Sequence, residues 1–148
     1  MKYTEKVSHK LNELLSKNYD AEAGYKSAAD SLESSKLKAF FKERAKDRYD
    51  FGHELKEEIR SYGEKPDKGT SLKGDAHRVW MDLKSIISDN KDEALLEEAI
   101  RGEKAAVEDY DEVLKETELA PSTKAVLEKQ RESVKAVLES VKTIKEWV

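Results

Sequence analysis

The chain has 148 residues, of which 41% are charged and 37% are hydrophobic, and its net charge is −4. This length suits one domain with a proper core, so we predict a single domain over residues 1–148. Lysine and glutamate are mixed along every segment, which argues against the clustered basic face of a nucleic-acid-binding protein. Cysteine is absent, so disulfides, thiolate metal sites and cysteine nucleophiles are excluded.

The sequence carries no sign of a membrane or secretory segment. The N-terminal stretch MKYTEKVSHKLNELL has no uninterrupted apolar run, so we expect no signal peptide. No segment approaches the ~20 apolar residues that span a bilayer. We therefore expect a cytoplasmic protein with no membrane partner.

Apolar residues recur at spacings of four and three along four long segments and one shorter one, which is the pattern of amphipathic helices. Ser34 or Ser35 is the expected cap of the second helix, and Gly63 ends it. Asn90 with Glu93 forms a capping box for the helix that follows them. The predicted helices cover about 4–32, 35–62, 72–88, 91–117 and 121–147.

The lengths of the connections predict the topology. Two of them are short, so the first two and the last two long helices each form an antiparallel hairpin. The connection between the hairpins runs from Gly63 to Asn90 and contains the 72–88 helix, which spans roughly 25 Å. This indicates an all-α four-helix bundle with one long crossover that contains an extra helix.

Each long helix carries one amide or charged residue in its apolar seam. These residues are Asn18, Arg48, Glu103 and Gln130. A polar group at a buried position destabilises the fold unless it finds a partner. The four residues are therefore the candidate site of this sequence.

The first and third long helices share a repeat. Asn18-x-x-Ala21-x-x-x-Tyr25 has the same spacing as Glu103-x-x-Ala106-x-x-x-Tyr110. The segments NYDAEAGY, FFKERAKDRYDFGHEL, GDAHRVWMDLK and RGEKAAVEDY are similar to an uncharacterised bacterial family of ferritin-like four-helix-bundle proteins. This resemblance implies the ferritin-like fold, and it implies no established activity.

Di-iron members of the ferritin-like superfamily take carboxylates from the Glu-x-x-Ala-x-x-x-Tyr pattern and add Glu-x-x-His motifs on the other two helices. In this sequence Arg48 and Phe51 stand at the Glu and His places of the second helix, and the fourth helix has no histidine. Asn18 replaces one Glu, and Glu103 remains. We therefore expect no metal and no cofactor at this position.

The height of each seam residue along the bundle axis, counted from the hairpin loop, predicts which polar side chains are neighbours. Counted from their loop, Asn18 and Arg48 differ by roughly 3 Å of helix rise, so they are neighbours, and Glu103 lies within reach of Arg48. We predict a buried Asn18–Arg48–Glu103 network. Gln130 lies roughly 9 Å from the level of Glu103, which pairs it with Tyr110 instead.

Tyrosines complete the predicted polar core. Tyr25 is the counterpart of Tyr110 on the first helix, and we expect both to be core residues with a satisfied hydroxyl rather than redox groups. Val134 and Val137 are predicted to flank Glu103 on the fourth helix.

Two other groups of residues invite functional interpretation. Asp50 and His53, with Glu54 and Glu57, resemble a metal motif, but they lie off the seam and we interpret them as a solvated face. His77, Arg78 and Trp80 belong to the crossover helix, where packing against the bundle is the first interpretation. A partner or ligand surface at these three residues is the alternative.

Three functions compete. The first is a non-enzymatic bundle with a structural, association or stress-related role, which we expect to form homo-oligomers. The second is a ferritin-like metal-binding protein or oxidase with an atypical carboxylate-rich site. Its candidate ligands are Glu22, Glu103, Glu108 and His53. The third is a bundle that binds a small molecule or a partner through the crossover helix.

Overall fold

The computed structural model describes residues 2–68, 90–116 and 118–147, and these form helices and short connections without any strand. The helices are α1 (Tyr3–Ser31), α2 (Ser35–Ser61), α3 (Lys91–Glu116), α4 (Pro121–Glu139) and α5 (Val141–Ile144), followed by a 3-10 helix (Lys145–Trp147). The prediction of an all-α chain built on four long helices is confirmed. The helix predicted over 72–88 lies outside the described residues.

Side-chain caps begin two of the helices. The Ser34 hydroxyl accepts a hydrogen bond from the Leu37 amide (3.2 Å), so Ser34 rather than Ser35 caps α2. Asn90 accepts one from the Glu93 amide (3.0 Å), and its own side-chain amide donates to the Glu93 carboxylate (3.3 Å). These bonds satisfy N–H groups that the first turn of a helix leaves free.

The end of α2 is fixed by a glycine. Gly63 has a φ of +77°, and its amide donates to the Arg60 carbonyl at 2.9 Å. The Glu64 amide donates to the Ile59 carbonyl at 3.3 Å, which completes a Schellman motif. Glycine adopts this left-handed conformation without a steric penalty, so the sequence locates the end of α2 correctly.

The fourth long helix is shorter than predicted, and the prediction of one helix over 121–147 is wrong. It stops before Ser140, whose hydroxyl donates to the Val137 carbonyl at 2.7 Å. A serine hydroxyl that bonds a carbonyl of the preceding turn competes with the backbone ladder and often bends a helix. Beyond the break, Trp147 packs edge-on against Phe40, with ring centroids 6.2 Å apart.

Contacts at the two ends of the bundle give the helix directions. At one end the Tyr62 hydroxyl, just after α2, donates to Thr123 of α4 at 2.9 Å. At the other end the Asp92 carboxylate accepts the amides of Glu33 and Ser34 at 2.9 and 2.7 Å. The α1–α2 and α3–α4 hairpins are therefore antiparallel, and residues 63 and 90 stand at opposite ends of the bundle. Helix α1 packs on α2 and α3, and α4 packs on α3 and α2.

The apolar core consists of two separate clusters. The first lies toward the α1–α2 loop and contains Tyr25, Ala28, Ala29, Leu32, Leu37, Phe41, Ala45, Leu95, Leu96, Ala99 and Ile144. The second lies toward the α3–α4 connection and contains Val7, Leu11, Leu14, Leu15, Leu55, Ile59, Tyr110, Val113 and Leu127. Between the two clusters, every long helix contributes a buried polar residue. The candidate site is thus a polar layer that divides the core.

Two glycines allow a matched test of the fold. We expect Gly63→Ala to destabilise the protein by about 1 kcal/mol, because alanine is strained at a positive φ. Gly52→Ala lies inside α2, where the added Cβ meets Leu15 Cδ1 at 3.5 Å, an ordinary contact. The second variant should be neutral or stabilise by up to about 1 kcal/mol, because alanine is the better helix former.

Denaturant unfolding of the two variants measures both effects. A loss of stability in Gly52→Ala equal to that in Gly63→Ala would show that crowding, rather than backbone conformation, sets the response.

Candidate functional site

The polar layer is formed by inward-pointing side chains from all four long helices. Asn18 comes from α1, Arg48 from α2, Glu103 from α3 and Gln130 from α4, and none of them is more than 4% exposed. Each occupies a seam position of its amphipathic helix, so the fold carries it inward. Burial at this level removes water as a hydrogen-bond partner, so the side chains must satisfy one another.

Arg48 lies at one side of the layer and joins three helices. One of its terminal nitrogens, Nη1, donates to Asn18 Oδ1 at 2.9 Å, and the other, Nη2, forms a salt bridge with the Glu103 carboxylate. Burial alone would lower the pKa of Arg48, but the Glu103 carboxylate together with Tyr110 and Tyr25 opposes this effect, and the pKa is raised above its ordinary value. The guanidinium therefore stays charged. The Asn18–Arg48–Glu103 contacts that the helix levels predict are present.

Tyr110 connects this group to Gln130. Its hydroxyl donates to Gln130 Oε1 at 2.6 Å and accepts a hydrogen bond from Asn18 Nδ2 at 3.0 Å. The predicted Gln130–Tyr110 hydrogen bond is present, and the Asn18–Tyr110 bond also links this pair to the triad, a connection that the helix levels leave open. A tyrosine hydroxyl both donates and accepts, so one side chain bridges the offset between the two levels.

The layer continues to the surface of α2. Gln130 Nε2 donates to the Phe51 carbonyl at 3.2 Å and to Glu54 Oε1 at 3.1 Å. Sequence reasoning missed Glu54, which it assigned to the solvated face beside His53. The available signal was the amide group of Gln130, because a buried NH₂ needs an acceptor and Tyr110 engages only the carbonyl oxygen.

These bonds form a chain with one direction. Arg48 can only donate, so Asn18 must accept with its oxygen and donate with its nitrogen. Tyr110 then accepts from Asn18 and donates to Gln130, which donates in turn to the carboxylate of Glu54. Arg48 at one end can only donate, and the Glu54 carboxylate at the other end can only accept. These two ends orient the side chains of Asn18, Tyr110 and Gln130 between them.

Both tyrosines of the layer stay protonated. Burial raises the pKa of Tyr110 to about 12, although the positive charge of Arg48 opposes the shift. Burial also raises the pKa of Tyr25 well above its ordinary range, and the nearby Glu103 carboxylate adds to this. Neither hydroxyl is placed to act as a base or as a tyrosinate ligand near neutral pH.

Little space remains around the salt bridge. A cavity of about 10 Å³ adjoins Arg48 and Glu103, which is room for about one water molecule. Its lining also includes Val134 and Val137 of α4, so both residues lie beside Glu103 as predicted. Among the described residues, the side chains are therefore closely packed around the Arg48–Glu103 salt bridge.

The side chains of the polar layer do not fit the two metal ions that the ferritin-like resemblance implies. Glu103 is already paired with the Arg48 guanidinium, which would repel a dication. In the part of the chain that the structure describes, no three Asp, Glu or His side chains are grouped so that they could hold a metal ion.

The atypical ligand set is not brought together either. Glu22 pairs with Lys26 on α1 (2.8 Å), and Glu108 is exposed on α3. His53 is exposed on α2, where its ring lies edge-on to that of Tyr49, with centroids 4.5 Å apart. The surface interpretation of the His53 segment agrees with this placement.

The last of the predicted surfaces belongs to the crossover helix. His77, Arg78 and Trp80 lie outside the described residues, so their role as a partner surface stays a prediction.

Sequence reasoning also missed Asp20, which is only 5% exposed on α1. Asp20 lies outside the four-three seam of its helix, so periodicity gave no signal for its burial.

Removing one partner of the salt bridge should destabilise the fold more than removing both. Arg48→Ala leaves the Glu103 carboxylate buried without its counter-charge, and we expect a loss of roughly 3–5 kcal/mol. Arg48→Met combined with Glu103→Leu removes both charges. It leaves two neutral groups, Asn18 Oδ1 and the Tyr25 hydroxyl, without their charged partners, and we expect a smaller loss of about 1–3 kcal/mol. Thermal and denaturant unfolding of both variants measure the difference.

Arg60→Ala is the matched control, because Arg60 forms an exposed pair with Glu57 and should change stability little. If Arg48→Ala is as harmless as Arg60→Ala, the buried network contributes nothing to the fold.

The buried tyrosines predict an alkaline limit to stability. The folded pKa of Tyr110, about 12, exceeds its ordinary value of 10.0, so its contribution is complete below pH 10 and is lost as the pH rises through 12. The two-unit difference corresponds to about 3 kcal/mol. Tyr110→Phe should therefore show a smaller loss of unfolding free energy over this range than the wild type.

Denaturant unfolding at successive alkaline pH values gives the two slopes. Tyr49→Phe, which removes a half-exposed tyrosine, serves as the control and should retain the wild-type slope. Equal slopes in the wild type and Tyr110→Phe would contradict the burial of a protonated Tyr110.

Comparison with known proteins identifies a family whose sequence pattern matches this chain. No curated protein matches the chain. A family described as "Domain of unknown function (DUF2383)" matches residues 6–116, about three-quarters of the sequence. The matched range includes α1, α2 and α3 except for the first three residues of α1, and with them all members of the polar layer except Gln130. The chain therefore belongs to the DUF2383 family.

Proposed function

We propose that this protein is a ferritin-like four-helix bundle that works by association rather than by catalysis, and that the polar layer replaces a di-iron centre. The observation that carries this proposal is the position of Arg48. Its guanidinium lies among the inward-pointing side chains of α1 and α3 and uses the Glu103 carboxylate as its counter-ion. A fixed organic cation thus supplies the charge balance that metal ions would supply.

The arrangement of the hairpins supports the ferritin-like topology. Two antiparallel hairpins pack with α2 parallel to α3, and the connection between them joins opposite ends of the bundle. A connection of this kind is the crossover of ferritin-like bundles. The helix predicted over 72–88 completes the proposed topology.

The hydrogen-bond pattern supports a structural role for the layer. Arg48–Asn18 and Tyr110–Gln130 are bonds within a hairpin. Arg48–Glu103 and Asn18–Tyr110 are bonds between the hairpins. A layer of this kind specifies how two hairpins with similar apolar seams align, which is the best-attested use of buried polar groups.

The proposal also covers the location and the partners of the protein. No helix in the described part of the chain is long and apolar enough to cross a membrane. We infer a cytoplasmic location, a homo-oligomeric state and no bound nucleic acid. A partner surface at His77, Arg78 and Trp80 remains an additional hypothesis.

Metal analysis tests the central part of this proposal. Protein purified without added metal and then incubated with Fe²⁺ or Zn²⁺ should retain a substoichiometric amount after desalting. The reason is that Arg48 and Glu103 neutralise each other. Stoichiometric metal that is lost in a Glu103→Gln variant would overturn the proposal, whereas metal that the variant retains must bind elsewhere.

Light scattering on a size-exclusion column tests association. The chain has a mass of 16.9 kDa, and we expect a multiple of this value at micromolar concentration. A single mass of one chain at every concentration would contradict the homo-oligomeric state.

A further inference from the structure

One side of α2 carries a basic and aromatic stripe that the polar layer does not use. We call it the α2 stripe, and its members are Lys38, Lys42, Lys46, Tyr49, His53, Lys56 and Arg60. Their spacings of three and four residues place them on one side of the helix over roughly 33 Å. The stripe contains no acidic residue, although the whole chain has a net charge of −4. Tyr49, at its centre, is 50% exposed.

The stripe borders grooves between α1 and α2. A groove of about 380 Å³ lies at its centre, with Ala45 among its lining residues beside Lys42, Lys46 and Tyr49. A second groove of about 470 Å³ adjoins Lys56 and Arg60. The first groove is large enough for an apolar side chain. On its α1 side the lining includes Glu22, which is neutralised by Lys26. On its α2 side the cations Lys42 and Lys46 have no ion-pair partner among the described residues.

The positive charge of the stripe is mostly uncompensated. Arg60 pairs with Glu57 at 2.9 Å. Lys38, Lys42, Lys46 and Lys56 form no ion pair with any residue that the structure describes. Lys42 and Lys46 are exposed, whereas Lys38 and Lys56 are half-buried and Lys56 Nζ lies 5.2 Å from the centroid of the Tyr19 ring. Exposed cations without an ion-pair partner attract an acidic partner, and this attraction weakens with salt.

The width of the stripe restricts the kind of partner. Acidic residues follow the next side of α2 at the same spacing, namely Glu43, Asp47, Asp50, Glu54 and Glu57. A nucleic-acid duplex or a membrane surface would cover both sides of the helix and would meet these carboxylates. A single peptide segment is narrow enough to follow the basic side alone.

We propose that the α2 stripe docks an acidic peptide segment of a partner protein. Carboxylates of the segment pair with Lys42, Lys46 and Lys56, and one apolar side chain enters the groove beside Tyr49. This inference rests on the proposed association role, but it is independent of the metal-free core and of the homo-oligomeric state. Those two parts have their own tests above.

Fluorescence anisotropy with a labelled glutamate-rich peptide that contains one leucine tests the proposal on the full chain. We expect saturable binding that weakens as salt is added. Lys42→Glu with Lys46→Glu should weaken binding about tenfold or more, since two pairs become repulsive. The matched control is Lys104→Glu with Lys145→Glu, two exposed lysines elsewhere, which gives the same net charge and should retain the wild-type affinity.

Three results would overturn the proposal. One is the absence of binding to the wild type while circular dichroism shows a folded protein. Another is an equal loss of affinity in the two double variants, because a response to net charge needs no docking surface. The last is tighter binding of labelled single-stranded DNA or of anionic vesicles than of the peptide, with the same dependence on Lys42 and Lys46. Self-association can persist in each of these cases, so the proposed function is judged separately.

Discussion

The interior of this bundle is organised by a side chain that can only donate hydrogen bonds. Arg48 is 4% exposed and keeps its charge, so the residues around it must offer acceptors. Glu103 offers a carboxylate and Asn18 offers its amide oxygen. Because the Asn18 oxygen accepts from Arg48, the Asn18 nitrogen points toward Tyr110. This orientation fixes the order of donors and acceptors as far as Glu54. A substitution at one member therefore affects partners two bonds away, because no side chain in the series can reverse its role independently.

The layer also explains how a chain with 37% hydrophobic residues forms a specific bundle. Each apolar cluster combines aliphatic and aromatic residues on seams with the same spacing, and apolar seams alone specify the alignment of helices weakly. A shift of about 5 Å would move Arg48 into an apolar cluster and leave Glu103 without its counter-ion. The polar residues add little net stability of their own, but they make the alternative alignments unfavourable. Specificity of this kind suits two hairpins whose connecting segment is long.

Much of this arrangement follows from the sequence, because seam periodicity and helix rise are local properties. They place Asn18, Arg48 and Glu103 at one level and pair Gln130 with Tyr110. Ser34, Asn90 and Gly63 mark helix ends by their own chemistry. The Asn18–Tyr110 bond and the Glu54 end of the series could not be predicted in this way, since they depend on side-chain reach across the hairpin interface. The end of the fourth long helix at Glu139 was missed because the apolar spacing continues unchanged past it, through Val141 and Ile144.

The placement of charge separates the interior of the protein from its surface. Inside, every charge in the layer has a fixed partner, and the adjoining cavity has room for about one water molecule. Among the residues that the structure describes, the layer is therefore neutral and closely packed around the salt bridge. On the outside, Lys42 and Lys46 of the α2 stripe are exposed on the helix that also carries Arg48. One helix therefore places cations in two environments: a buried cation that joins the two hairpins, and exposed cations on its outer side.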